Sequence, residues 1–294
     1  MIIKVALFGI NVADAVIPCV QELVDRLHTA DGNLFIYRPF YECIRERVNF
    51  TFTPGLFDVN TGLKGKVDFL FSIGGDGTIL DAIRVIGDSG IPVAGINLGR
   101  LGFLSGISKE QILPALSAIS QGKYLLEERS MLQLVTPSNL FGGTNFALNE
   151  LTVYKPNVTT ILTIKTWING EFLNTYWGDG LIVATPTGST AYSLSCTGPI
   201  LTPDTESFVI TPIANHNLTV RPIVVRDDCE IRIRVDGKGN EFLVSLDSRF
   251  EKLQNSIELV IRKAGFKIHL LRLPEKDFFQ TIREKLNWGL DNRN

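Results

Sequence analysis

The amino-acid sequence predicts an α/β domain followed by an all-β domain, with a last helix that returns to the first. Three observations carry this prediction. Apolar runs alternate with helical patterns up to about residue 123, short β-rich segments follow one another from Tyr124 to about residue 270, and a helical pattern resumes near the end. With 294 residues and 45% hydrophobic content, the chain is long enough for two cores. The expected boundaries are therefore 1–123 plus 271–294 for the α/β domain and 124–270 for the β domain.

The elements follow in order. A strand is expected over Ile2 to Phe8, a helix near Ala13 to His28, a strand over Val67 to Ile73, a helix over Thr78 to Ile86 and a strand over Ile91 to Ile96. Runs such as Phe69-Leu70-Phe71-Ser72-Ile73 are apolar on both faces, as parallel strands covered by helices are. Ser108 caps a helix from Lys109 to Ser120. The β segments are Met131 to Val135, Phe146 to Tyr154, Ile161 to Ile168, Leu181 to Ala184, Ser207 to Ile213, Glu230 to Val235 and Glu241 to Leu246. Asn169-Gly170 and the Asp236 to Asn240 run read as hairpin turns. Pro274 to Trp288 reads as the returning helix, with Phe278, Ile282 and Leu286 on one face and Gly289 just past its end.

A net charge of -2, from 29 Lys plus Arg against 31 Asp plus Glu, leaves no basic footprint for nucleic acid or an anionic membrane. Phosphate binding must then be local. The four cysteines, at 19, 43, 196 and 229, form no CxxC pair, which argues against zinc and against a disulfide framework. No stretch reaches bilayer length and no leader is evident, so a soluble, cytoplasmic protein is expected.

The chemistry centres on Gly74-Gly75-Asp76-Gly77-Thr78, which follows the apolar run to Ile73. Glycines at a strand-to-helix turn let a ligand approach the backbone, and a helix N-terminus offers free N–H groups to phosphate. A carboxylate there opposes phosphate unless it meets a proton, a hydroxyl or a metal ion together with it, as phosphoryl transfer requires. The loop is neither GxGxxG nor Walker A. A second cluster, Asp179-Gly180 leading through Thr185-Pro186-Thr187-Gly188-Ser189-Thr190-Ala191-Tyr192-Ser193-Leu194-Ser195, is rich in small donors and carries an aromatic face at Tyr192.

Together with Asn97-Leu98-Gly99-Arg100-Leu101-Gly102-Phe103-Leu104 and Asn149-Glu150, these ordered motifs closely resemble the bacterial NAD kinases over residues 74 to 200. Gly-Gly-Asp-Gly-Thr alone is shared with diacylglycerol and sphingosine kinases; the Thr185 to Tyr192 run makes the narrower match. The resemblance implies an N-terminal Rossmann-like α/β domain carrying the loop, a C-terminal β-sandwich, and transfer of the γ-phosphoryl group of ATP to the 2'-hydroxyl of the adenosine ribose of NAD. It also implies Mg2+ with ATP and a homo-oligomer, tetramer or dimer.

Under the resemblance Asp76 is the proton acceptor, and Gly74, Gly75, Gly77 and Thr78 form the phosphate loop. The dinucleotide pocket takes Asp76, Gly77, Phe103, Asn149, Glu150, Asp179, Thr187, Thr190, Ala191, Tyr192, Ser193, Leu194 and Ser195. No protein side chain is assigned to a metal. His216 lies in a segment similar to one that can face the catalytic loop, and both a site role and a plain loop role stay open for it. The chain departs from the family pattern at Trp177, where a basic residue is usual, and at Asp247-Ser248-Arg249, where Asp-Gly-Gln is usual.

Overall fold

The computed structural model describes residues 3–28, 34–59, 62–99, 102–158, 160–236, 241–274 and 277–288. The chain forms two compact units, residues 1–128 with 268–294 and residues 129–267. In the first unit, β1 (Val5–Phe8), β2 (Leu34–Tyr37), β3 (Gly55–Phe57), β4 (Phe69–Ile73), β5 (Val93–Asn97) and the short β6 (Ile107–Ser108) join in a parallel sheet with core order β3-β2-β1-β4-β5. Residues 268–272, the end of the long strand β18 (Glu258–Arg272), lie parallel to β5 with Leu270 opposite Val93.

Helices α1 (Ile17–Leu27), α2 (Arg38–Ile44), α3 (Asp76–Ile86), α4 (Ile112–Ser120) and α6 (Phe278–Leu286) belong to the same unit. In α3, Ile79, Ala82, Ile83 and Ile86 recur at helical spacing and are all buried, which seats the helix behind the Gly-rich loop. Ser108 and Gln111 form a capping box ahead of α4. The last helix starts later than the sequence pattern suggests: Asp277, whose carboxylate accepts the Gln280 N–H at 2.6 Å, is the cap, and left-handed Asn287 ends it. Gly289 lies outside the described residues, as do Ile2, Arg100 and Leu101.

No element is predicted between His28 and Val67, yet β2, α2 and β3 lie there. They are three to seven residues long, and α2 reads Arg-Pro-Phe-Tyr-Glu-Cys-Ile, with few good helix formers. Burial of Phe40 and Ile44 holds it instead.

The second unit is a β-sandwich. One sheet carries β10 (Leu162–Ile168), β11 (Glu171–Gly178), β15 (Ile231–Asp236) and the first part of β18. The other has the order β14 (Ile223–Arg226), β13 (Ser207–Ile213), β12 (Gly180–Ala184), β9 (Glu150–Tyr154), β16 (Glu241–Leu246), β17 (Arg249–Gln254). Leu151, Val153, Ile164, Leu181, Ile233, Phe242 and Val244 fill the core they share. Strand β7 (Leu125–Thr136) pairs with β8 (Phe146–Ala147), and the four-residue α5 (Tyr192–Ser195) closes the second cluster.

Asn169 (φ 51°) and Gly170 (φ 85°) make the β10–β11 hairpin as expected. The run after Asp236 makes none. Its flanking strands belong to different sheets, β15 pairing with β10 and β18 and β16 with β9 and β17; residues 237–240 lie outside the described residues. Turn residues encode a local reversal, and they do not specify which sheet receives the next strand. Likewise Phe146 to Tyr154 is two strands in two sheets, broken at Leu148-Asn149. Among the described residues, no helix is long and apolar enough to cross a membrane.

Candidate active site

The parallel register places the ends of β4 and β5 side by side, with Ile73 opposite Ile96, and the Gly74 N–H donates to the Ile96 carbonyl at 2.9 Å. Both loops of the first half-site therefore leave from adjacent carboxyl ends of parallel strands, where ligands of open α/β sheets bind. Gly74 has φ +150°, and a Cβ there would lie 2.3 Å from Thr78 Oγ1, so glycine is required. Gly75 and Gly77 are different. Both are exposed, and a Cβ on either would meet nothing within 4 Å. Nothing in the chain itself asks for glycine at these two positions.

Asp76 is the first residue of α3, two residues earlier than the helix start expected from the sequence. Its carboxylate reaches the 102–105 turn. Oδ2 accepts the Phe103 N–H at 2.7 Å, and Oδ1 accepts the Leu104 N–H at 3.1 Å, the Ser105 N–H at 3.1 Å and the Ser105 hydroxyl at 3.2 Å. Buried Ser105 is itself completed by Asn97, whose Nδ2 donates to Oγ at 3.1 Å, and by the Gly102 N–H at 3.0 Å. One hydroxyl thus gives one hydrogen bond and receives two, its full capacity. The half-buried Phe103 contributes its backbone N–H to this network. Ser105 carries no sequence signal, being an isolated serine after a Gly-Phe-Leu run.

In the second unit the Asn149-Glu150 pair sits on a tightly held corner. The Asp247 carboxylate accepts three consecutive backbone N–H groups, from Leu148 at 3.0 Å, Asn149 at 2.8 Å and Glu150 at 3.2 Å. Thr185 takes the other side: its hydroxyl donates to the Leu148 carbonyl and its N–H to the Asn149 carbonyl at 2.8 Å. A Cβ on Gly188 would come within 2.1 Å of the Asn149 oxygen, so the second cluster lies directly against this corner. Glu150 is 8% exposed, and its Oε2 is buried with no hydrogen-bond partner. Burial, and then the charge of Asp247, push its carboxyl up to about 8, against the pull of the Tyr192 backbone.

The second cluster divides into a buried layer and a surface. Ser189 bonds the Pro186 carbonyl at 2.6 Å, and fully buried Ser193 shares a 2.8 Å bond with Thr211, which puts the Ser193 side chain beneath the loop and not on its face. Thr187 is 5% exposed, 3.4 Å from Arg129, and Thr190 donates to the Thr187 carbonyl. Ala191 and Leu194 are half-buried; Tyr192 and Ser195 are exposed. Asp179 forms an ion pair with Lys155, Nζ to Oδ1 2.7 Å, both side chains being mostly shielded. A cation thus meets Asp179 from the end of β9, although position 177 holds a half-exposed tryptophan. Arg249 donates to the carbonyls of Thr144 and Phe146 and lies 5.4 Å over the Phe141 ring, so it braces the β7–β8 turn. His216 donates its backbone N–H to Trp177 at 2.7 Å and leaves its ring exposed.

Known proteins match nearly the full length of the chain. Residues 53–124 match the ATP-NAD kinase N-terminal domain and residues 148–273 the ATP-NAD kinase C-terminal domain. The NAD kinase of Cytophaga hutchinsonii is 44% identical over 291 residues, 98% of this chain and 99% of that one. The chain belongs to the NAD kinase family. Another family member, from Flavobacterium johnsoniae, is 44% identical over 293 residues, 99% of this chain and all of its own. Among solved structures, the fold is similar to that of yeast NADH kinase complexed with NADH (TM-score 0.85, 24% identity, 98% of this chain and 88% of that one) and of an NAD kinase from Archaeoglobus fulgidus in complex with ATP (TM-score 0.71, 23% identity, 96% and 98%).

Proposed function

We propose that the protein is an ATP-dependent NAD kinase that moves the γ-phosphoryl group of ATP to the 2'-hydroxyl of the adenosine ribose of NAD, giving NADP. Full-length family membership supports the activity, and the anchored Asp76 carboxylate carries the mechanism. A ribose hydroxyl is a poor nucleophile at neutral pH. Oδ1 is occupied by three donors, while Oδ2 has one and keeps an acceptor position, so Oδ2 is the atom that takes the hydroxyl proton as the bond to phosphorus forms. The open Cβ positions at Gly75 and Gly77 and the free N–H groups opening α3 receive the phosphates, with Gly74 and Thr78 shaping the turn.

Asn149 and Glu150 hold the dinucleotide through an amide and a carboxyl group suited to an adenine edge and ribose hydroxyls, with Asp179, Thr187, Thr190, Ala191, Tyr192, Leu194 and Ser195 around it and Phe103 supplying a ring. Ser193 belongs to this reading as support beneath the loop. The exposed His216 ring is available to the substrate from the loop after β13. Among the described residues, no three His, Cys, Asp or Glu side chains stand together as a metal cage. Asp76 and Thr78, at the opening of α3, would face a Mg2+ ion carried by the ATP phosphates, which would supply charge neutralisation for the transferring group. A cytoplasmic homo-oligomer, tetramer or dimer, completes the proposal.

The test is formation of NADP from NAD and Mg-ATP by the purified protein, with NADH as alternative acceptor and polyphosphate as alternative donor. NADP is expected. Phosphorylation of a lipid with no NADP would overturn the reading.

A further inference from the structure

We propose that Asp247 is a positioning residue for the dinucleotide, acting through the corner that carries Asn149 and Glu150; this rests on the reading of that pair as the NAD-holding pair. The corner joins β8 to the start of β9, which belong to different sheets, so the N–H groups of Leu148 and Asn149 have no ladder to join. One carboxylate supplies all three acceptors for residues 148–150, and the Asp247 N–H returns a bond to the Glu150 carbonyl at 3.0 Å. With Thr185 taking the carbonyls of Leu148 and Asn149, two residues fix every backbone polar group of Leu148 and Asn149.

The strands on either side do not depend on this carboxylate. β9 and β16 pair from Leu151 opposite Leu246 to Tyr154 opposite Leu243, and both leucines at the near end are fully buried. Loss of the carboxylate therefore loosens the corner and leaves the sheet in register. Asp247 also sits at φ +51°, a conformation asparagine and glycine adopt and most side chains do not. That permits substitutions which remove the carboxylate without straining the turn. Asparagine keeps one oxygen, enough for the Asn149 and Glu150 N–H groups that share Oδ1, but turns an amide N–H2 toward the Leu148 N–H. Glycine loses all three bonds.

The experiment compares wild type, Asp247→Asn and Asp247→Gly by steady-state kinetics with NAD and ATP varied separately, and by calorimetric titration with NAD. In Asp247→Gly the KM and Kd for NAD are expected to rise about tenfold or more while the KM for ATP stays within about twofold, with Asp247→Asn between that variant and wild type. A general loss of structure would raise both KM values or lower kcat alone. Either outcome, or an NAD Kd within about twofold of wild type in both variants, overturns the proposal. If glycine prevents folding, the asparagine variant decides by the same criterion. If wild type binds NAD but makes no NADP, the kinase reading fails, while the calorimetric comparison still tests Asp247.

Discussion

The Asp76 Oδ2 accepts the Phe103 N–H at 2.7 Å, while Oδ1 takes three further donors from Leu104 and Ser105. The carboxylate is thus held by the neighbouring loop before any substrate arrives, and the two oxygens are not equivalent. Asp76→Asn must place its oxygen at the three-donor position, which turns the amide N–H2 toward the Phe103 N–H and toward the incoming hydroxyl. Turnover should fall by about 10²–10⁴-fold, the range of a lost general base, with NAD affinity retained. Single-turnover NADP formation beside an NAD titration checks this; near-normal turnover removes Asp76 from the proton-accepting role.

Gly102 is the steric condition for that arrangement. A Cβ there would sit 1.8 Å from Asp76 Oδ1, and Gly102 has no positive φ that alanine would resist. Gly102→Ala should leave the fold intact and displace the carboxylate, with kcat falling about 10- to 100-fold, as an ångström-scale misplacement of a catalytic group does. The melting temperature and kcat measured together check it. An unchanged kcat would show that the carboxylate position is not critical.

How far the sequence discloses such a site depends on how local the signal is. The Gly74 to Thr78 loop is legible because its glycines, its aspartate and its place after an apolar strand are all neighbours in the chain. The Thr185 to Ser195 run is legible as a cluster, although which hydroxyls face outward is not: Ser193 and Ser189 are engaged by Thr211 and by the backbone of Pro186 and Leu201. Ser105, Lys155 and Asp247 act across 29, 24 and about 100 residues of chain on Asp76, Asp179 and the Leu148 to Glu150 corner. Each is an ordinary polar residue whose role exists only once distant strands are in register. The same reason explains the misread link between β15 and β16, whose assignment to different sheets is set by long-range burial.

Lys155 and Asp179 should behave as one unit. Their ion pair at 2.7 Å is mostly shielded from water, so removing one partner leaves the other poorly compensated. Lys155→Met should raise the KM for NAD with a smaller effect on kcat, because Asp179 is then no longer held in place. In a double-mutant cycle with Asp179→Asn, the coupling between the pair should be about 1–3 kcal/mol. Additive effects on the KM would show that Lys155 does not orient Asp179.

Glu150 makes stability depend on pH in a direction opposite to that of an ion-paired carboxylate. Burial and the nearby Asp247 charge raise its carboxyl from 4.5 to about 8, and its titratable neighbours Asp247, Tyr192 and Cys196 are themselves shifted upward, each chiefly by burial. Between those two values the native protein holds a proton that the unfolded chain has released. Its contribution is therefore fully present below the ordinary carboxylate range and declines as pH rises toward about 8, by about 1.4 kcal/mol per pH unit. Glu150→Gln, which cannot ionise, should remove this slope and gain on wild type as pH rises. Urea midpoints of both proteins at about pH 5, 6, 7 and 8 measure it, and parallel profiles would show that the Glu150 carboxyl ionises alike in the folded and unfolded chain.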